Sequence, residues 1–376
     1  MTTLADARSL PLFRPAADPD AFHDVTAPGG YEWWYFDAED ERTDTQVVAI
    51  FLQGFIFHPG YLREHARYVR RPTRRPPPLP GDFPCVYLVV YRGGKIAHQF
   101  MTQVRPGQFR ASRDEPDVSI GASTMRREAD GSYVLSLRGT PWVLTAQGPK
   151  TLHGQSLEAD LRFTPRVQHP PIERVFLSRR MTGADHHWII ASPLCTTSGT
   201  IRVRGSDGSD RETIDFAGAG YHDHNFGTGP IGPGLKRWIW GRVTLADRVV
   251  TFHYAVPRDA GLPPEVHLVE ADAAGTREIA VGPDEAAVDW RKRTPLLLAY
   301  PKRVDLGEPL VLTSPRVVDS APFYLRVIYD ALTRGERGTA LCEVAYPHRL
   351  RWPILGRMIE MSIDKSALAA GAAPGV

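Results

Sequence analysis

Three cysteines, Cys85, Cys195 and Cys342, are scattered through 376 residues without any paired spacing. That excludes a disulfide framework and a zinc knuckle, and it points to core thiols in a reducing compartment. Neither sign of charge dominates. Forty-five Lys and Arg against 43 Asp and Glu leave a net charge of +2, too close to neutral for a nucleic-acid binder. Long apolar runs are also missing: stretches such as Val47–Leu52 fall far short of the roughly 20 residues that span a bilayer. The segment Met1–Arg14 carries Asp6 and Arg8 and no apolar stretch, so a secretory leader is not expected and a cytoplasmic location is. No Gly-rich loop precedes a helical pattern, as nucleotide phosphates would require, and there is no Gly-x-Ser-x-Gly elbow.

What fills the chain instead is short β-type material. Runs rich in Val, Ile, Tyr, Phe and Trp recur between turn signals. Cys85–Tyr91 and Lys95–Met101 flank Gly93-Gly94, a pair that tolerates the positive φ of a tight hairpin. Ser132–Arg138 follows Asp130-Gly131, and Thr200–Arg204 precedes Ser206-Asp207-Gly208. Trp238–Leu245 and Val249–Val256 flank Ala246–Arg248, and Phe323–Tyr329 can pair with Thr339–Tyr346 across Arg334–Gly338. Helix signals are few and short, at 18–23 and 353–358. The pattern predicts an all-β protein of sandwiches or up-and-down barrels, and the length exceeds one ordinary core, so two domains are expected. Tyr31–Asp37 and Arg237–Val243 each open a strand series on aromatic residues. This faint duplication puts the domains at 1–215 and 216–376. The basic, proline-rich stretch 70–80 reads as an extended surface loop, and 367–376 as a frayed tail.

The densest chemistry lies in Gly220-Tyr221-His222-Asp223-His224-Asn225-Phe226-Gly227. On a strand, Tyr221 and Asp223 face one way and His222 and His224 the other. A phenol beside a carboxyl among rings suggests acid chemistry. Two imidazoles on one face suggest a metal or a buried hydrogen-bond network, with His186, His187 or His253 as further donors. Asp185-His186-His187-Trp188 repeats the spacing, with His186 and Trp188 on one face. In Tyr31–Asp37, the face carrying Glu32, Trp34 and Phe36 places a carboxyl beside two large rings, which favours a ligand cavity over a plain core. Both acid and metal remain open on these grounds.

Tyr31-Glu32-Trp33-Trp34-Tyr35, His186-His187-Trp188 and Gly220–Gly227, in this order, resemble the carotenoid 1,2-hydratases. More broadly they resemble the tandem lipocalin-like superfamily that includes hydroxyneurosporene synthase-like proteins and Diels–Alder cyclases. Phe226 stands where the family reads Trp, and the 70–80 stretch has no place in its pattern. The resemblance implies two lipocalin-like antiparallel β-barrels side by side, an isoprenoid or polyene substrate near their junction, and no cofactor. Its His-x-Trp and Tyr-x-Asp pairs fall on His186, Trp188, Tyr221 and Asp223. The expected reaction is hydration of a terminal trisubstituted alkene. Asp223 is the proton donor, Trp188 and Tyr221 steady the cation, and His186 handles the water. Glu32, Trp33, Trp34, Tyr35, His222, His224, Asn225, Phe226, Trp238 and Trp240 complete the expected substrate-binding set. A pericyclase and a non-catalytic binder of apolar ligands are the alternatives on the same scaffold, and a peripheral membrane contact is expected for reaching so apolar a substrate.

Overall fold

The computed structural model describes residues 12–167, 170–282 and 284–369. The reading of 1–14 therefore lies mostly, and that of the tail from 370 wholly, outside the described residues. Two curled antiparallel sheets dominate, one of 12 strands and one of nine. In the first, Tyr31–Asp40, Thr45–Gln53, Cys85–Arg92 and Lys95–Gln103 form a meander, and Tyr31–Asp40 pairs on its other edge with Asp210–Gly227. That strand in turn pairs with His186–Arg204. The second sheet repeats the plan: Leu235–Thr244, Arg248–Pro257 and Glu265–Asp272 form a meander, and Glu336–Ala345 closes on Leu235–Thr244. Gly93 and Gly94 take φ of +57° and +67° at the expected hairpin.

Period-two alternation divides each strand between two environments. Trp34 and Phe36 enter the interior of the first sheet, and Ile239, Phe252, Cys342 and Val344 that of the second. The opposite faces meet in a third apolar cluster that includes Tyr35, Trp188, Tyr221, Trp238 and Trp240. Polar links pin this junction. Arg242 Nε donates to Asp37 Oδ1 at 2.7 Å, Tyr35 donates to Glu343 at 3.0 Å, and Tyr91 donates to Asp319 at 2.9 Å.

The expected boundary near 215 falls inside Asp210–Gly227, which pairs throughout within the first sheet. The chain passes between sheets after Gly227, because the octapeptide supplies the first interior and the junction from one continuous strand. The C-terminal stretch then returns to the first sheet, where Asp364 bridges Thr102. The helix expected at 18–23 is instead a turn. Its groups are recruited inward: the Asp20 carbonyl accepts from Trp34 Nε1 at 3.0 Å, and its carboxylate accepts from Tyr133 at 2.6 Å. The helix near 353 is present as Pro353–Ser362. A further helix, Pro59–Arg70, was legible but not read. His58 caps it by accepting from Tyr61 N at 3.2 Å, proline follows at the first position, and Arg67 and Arg70 suit its C-terminal dipole. Residues 71–77 beyond it are exposed, as the proline-rich composition predicts. Among the described residues no helix is long and apolar enough to cross a membrane.

Candidate active site

Two strands flank Asp210–Gly227, and their registers assemble the site. Tyr31 and His186 both pair with Gly227, Trp33 and Trp188 with Asn225, and Tyr35 and Ile190 with Asp223. Side chains on the junction face of the three strands therefore stand in rows. Trp188 Nε1 donates to Asp223 Oδ2 at 2.9 Å, the Tyr221 hydroxyl to the same oxygen at 2.8 Å, and Asn225 Nδ2 to Oδ1 at 2.8 Å. Burial pushes the Asp223 carboxyl up to about 7, against the Trp188 and Tyr221 hydrogen bonds that favour its anion; the charges of Glu343 and Asp37 add to the rise.

Asp223 opens into a small cavity walled by Trp33, Tyr35, Phe176, Trp238 and Trp240, with Asn225, Ile231, His253 and Glu343 completing it. Of the residues expected to bind substrate, Trp33, Tyr35, Asn225, Trp238 and Trp240 line this cavity with Asp223. Tyr221 and Trp188 lie behind the acid and hold it.

His186 does not line the cavity. Its Nδ1 shares a 2.6 Å hydrogen bond with the Tyr31 hydroxyl, its Nε2 is buried without a partner, and burial together with neighbouring His187 pushes it down to about 3. Gly227 makes that contact possible, since a Cβ at this position would strike both rings. Gly227→Ala is expected to lower stability by about 1–3 kcal/mol in urea denaturation, and an unchanged midpoint would show that the two rings have room to part.

Five expected substrate contacts lie elsewhere. Glu32, Trp34, His222, His224 and Phe226 are on the opposite faces of the same strands and do not line the cavity. The carboxyl among rings that suggested a pocket is instead satisfied inside: Glu32 Oε1 lies 3.0 Å from His224 Nε2 and 3.1 Å from His23 Nδ1. Asp20 lies 3.1 Å from His222 Nε2, and His222 Nδ1 meets the Tyr35 carbonyl at 2.9 Å. Burial opposes charge on Asp20 and Glu32, but the imidazoles together outweigh it and hold both carboxyls below their usual range. Burial likewise opposes charge on His224, and the two acids overcome it and push the ring up to about 9.

His222 and His224 face away from His186 and His253, and His187, on their own face, meets Glu173 at 2.7 Å, so among the described residues the imidazole set considered for a metal is not assembled. His23, Glu32 and His224 come close enough to share a cation, yet their donor atoms already engage one another in a charge-compensated network. The sequence reading missed Phe176, Ile231 and Glu343 as wall residues, and had weighed His253 only as a metal donor. Glu343, an acid between Cys342 and Val344 in an apolar run, was the available signal.

Fold and site together define a two-sheet β enzyme with a buried acid in an aromatic cavity between its halves. The carotenoid hydratase CrtC family matches residues 52–369, and the chain belongs to it. The hydroxyneurosporene dehydrogenase of Chlorobaculum tepidum is 30% identical over 81% of this chain and 78% of its own. The acyclic carotenoid 1,2-hydratase of Cereibacter sphaeroides is 32% identical over 61% of this chain and 81% of its own. The crystal structure of a candidate AttH protein from Nitrosomonas europaea shares the fold, with a TM-score of 0.56 and 17% identity, covering 84% of this chain and 92% of that one. Membership makes the chain a hydratase, a carbon–oxygen lyase.

Proposed function

We propose that this hydratase adds water across the terminal trisubstituted C=C of an acyclic carotenoid by acid catalysis from Asp223. The observation that carries the reading is a buried carboxyl, pushed up to about 7, at the wall of an aromatic cavity. Trp188 and Tyr221 occupy both acceptor positions of Oδ2, and Asn225 takes one on Oδ1, which leaves Oδ1 a position for the proton. Transfer to the less substituted alkene carbon leaves a tertiary cation. Trp33, Tyr35, Trp238 and Trp240 line the cavity in which that charge forms, and a ring face is worth about 2 kcal/mol or more to a desolvated cation. Water then bonds to the cation and loses a proton.

The test is incubation with lycopene or neurosporene in heavy-oxygen water. The expected product carries one labelled hydroxyl on the tertiary carbon. A product that has lost hydrogen without gaining oxygen would support dehydrogenation, and a cyclised isomer would support a pericyclase; either refutes hydration.

The substrate's apolarity supports a peripheral contact with an anionic bilayer. Helix Pro353–Ser362 exposes Ile354 (71%), Met358 and Met361, with Trp352 before it and Leu297 (67%) on a loop tied to the same region through Arg349. The neighbouring helix, joined by the Arg63–Glu360 ion pair, leads into exposed Arg71, Arg74 and Arg75. Apolar side chains flanked by cations suit such a surface, each cation contributing about 1 kcal/mol near anionic lipid. Trp352→Glu with Ile354→Glu is expected to abolish co-sedimentation with phosphatidylglycerol vesicles; undiminished sedimentation would place the contact elsewhere.

A further inference from the structure

The proposed reaction needs a group to take the proton that the attacking water loses. His186 does not line the cavity. His253 does, with Nδ1 buried and unpartnered, but burial and the facing His267 push it down to about 3, which makes it a poor base. Glu343 is the second carboxyl of the cavity wall. Its strand places it between Trp240 and Arg326 across both neighbours, on the junction face opposite Cys342 and Val344.

Its oxygen Oε1 accepts from the Tyr35 hydroxyl at 3.0 Å and from Arg326. The Arg326 side chain is 2% accessible, whereas Glu343 keeps 16%. The guanidinium is therefore locked behind the wall while the carboxylate still reaches the cavity. The Arg326 cation also lies 5.1 Å from the centre of the Tyr91 ring, and it donates to the Tyr324 hydroxyl at 2.9 Å. So costly a buried cation needs a paired anion, which holds the Glu343 carboxylate at the cavity wall.

We propose that Glu343 is the catalytic base of this cavity, accepting the proton of the water that captures the carbocation, an inference that rests on the acid role of Asp223. The Asp223 O–H bond breaks and a C–H bond forms from the alkene π pair. A water lone pair forms the C–O bond, and the water O–H bond breaks towards Glu343. Its proton then returns to Asp223 through cavity water, so that one water is added per turnover and both carboxyls are restored.

Turnover in D2O with an acyclic carotenoid separates the roles. In the wild type, product forms with deuterium on the protonated carbon. In Glu343→Gln, hydration is expected to fall about 100-fold. The stranded cation then returns its proton, or the deuteron, to Asp223, and recovered alkene gains deuterium without gaining oxygen. Asp223→Asn should show neither hydration nor exchange.

The groups facing Glu343 are Tyr35, Tyr87, Arg326, Tyr324 and Asp319, with Asp223 across the cavity. Removing its charge takes away one cause of the rise at Asp223, so the alkaline fall in rate should move to lower pH. If Glu343→Gln fails to fold with Arg326 unpaired, Glu343→Asp keeps the charge, and a lowered ratio of hydration to exchange is expected there. A folded variant whose hydration is unchanged, or whose hydration and exchange fall together with an unmoved pH profile, overturns the assignment. Continued hydration by Asp223→Asn would instead overturn the acid reading beneath it.

Discussion

Asp223→Asn is expected to lower kcat by about 10²–10⁴-fold while making the protein more stable at alkaline pH. Both effects have one cause. The acid is useful because burial disfavours its anion, and it is costly for the same reason. Its native value of about 7 exceeds the ordinary 3.8, so the native state binds the proton more tightly than the unfolded chain does. The stabilisation from that neutral carboxyl is complete below the unfolded value and is lost as pH rises through about 7. Above that, the ionised form costs the fold about 4 kcal/mol. Asn has no such form, and its carbonyl can still accept from Trp188 and Tyr221. Wild-type kcat should therefore fall as pH rises through about 7, and urea denaturation at pH 9 should find the variant the more stable protein. Wild-type turnover by Asp223→Asn would favour a pericyclase, which needs the cavity but no acid.

Arg242→Met should be the most damaging single change at the sheet junction. Arg242 is 3% accessible and Asp37 1%, and the pair joins the two sheets beside the site. Removing the cation leaves Asp37 buried without its partner, at a cost of about 3–5 kcal/mol. Pairing it with Asp37→Leu should recover most of that loss, since the penalty belongs to the orphaned charge and not to the missing contact. Because the cavity is bounded by both sheets, activity in Arg242→Met should disappear at lower urea concentration than in the wild type. If Arg242→Met denatures with the wild-type midpoint, the Arg242–Asp37 pair contributes nothing net to holding the sheets together.

Much of this protein is local and so was readable. Period-two alternation separated Tyr221 and Asp223 from His222 and His224, and paired His186 with Trp188, before any fold was considered. Turn residues located the hairpins, as at Gly93-Gly94. Glu32 shows the limit of such reasoning. Alternation put it correctly beside Trp34 and Phe36, but either face of that strand could have met the ligand. The face bearing Trp33 and Tyr35 lines the cavity, while Glu32 serves His23 and His224 from within. The strand Asp210–Gly227 likewise crosses the expected domain boundary, since nothing local says to which sheet a strand belongs.

The sequence by itself determined the all-β class, the residue types of the acid site, and which of them share a face, because side-chain direction on a strand depends only on neighbouring residues. Tertiary structure alone decided which faces meet. Sheet docking is a long-range event, and it brings Glu343 and His253 to the cavity of Asp223 from strands that no spacing connects. It also turns an ordinary carboxyl into an acid near neutrality, since burial is a property of the assembled junction.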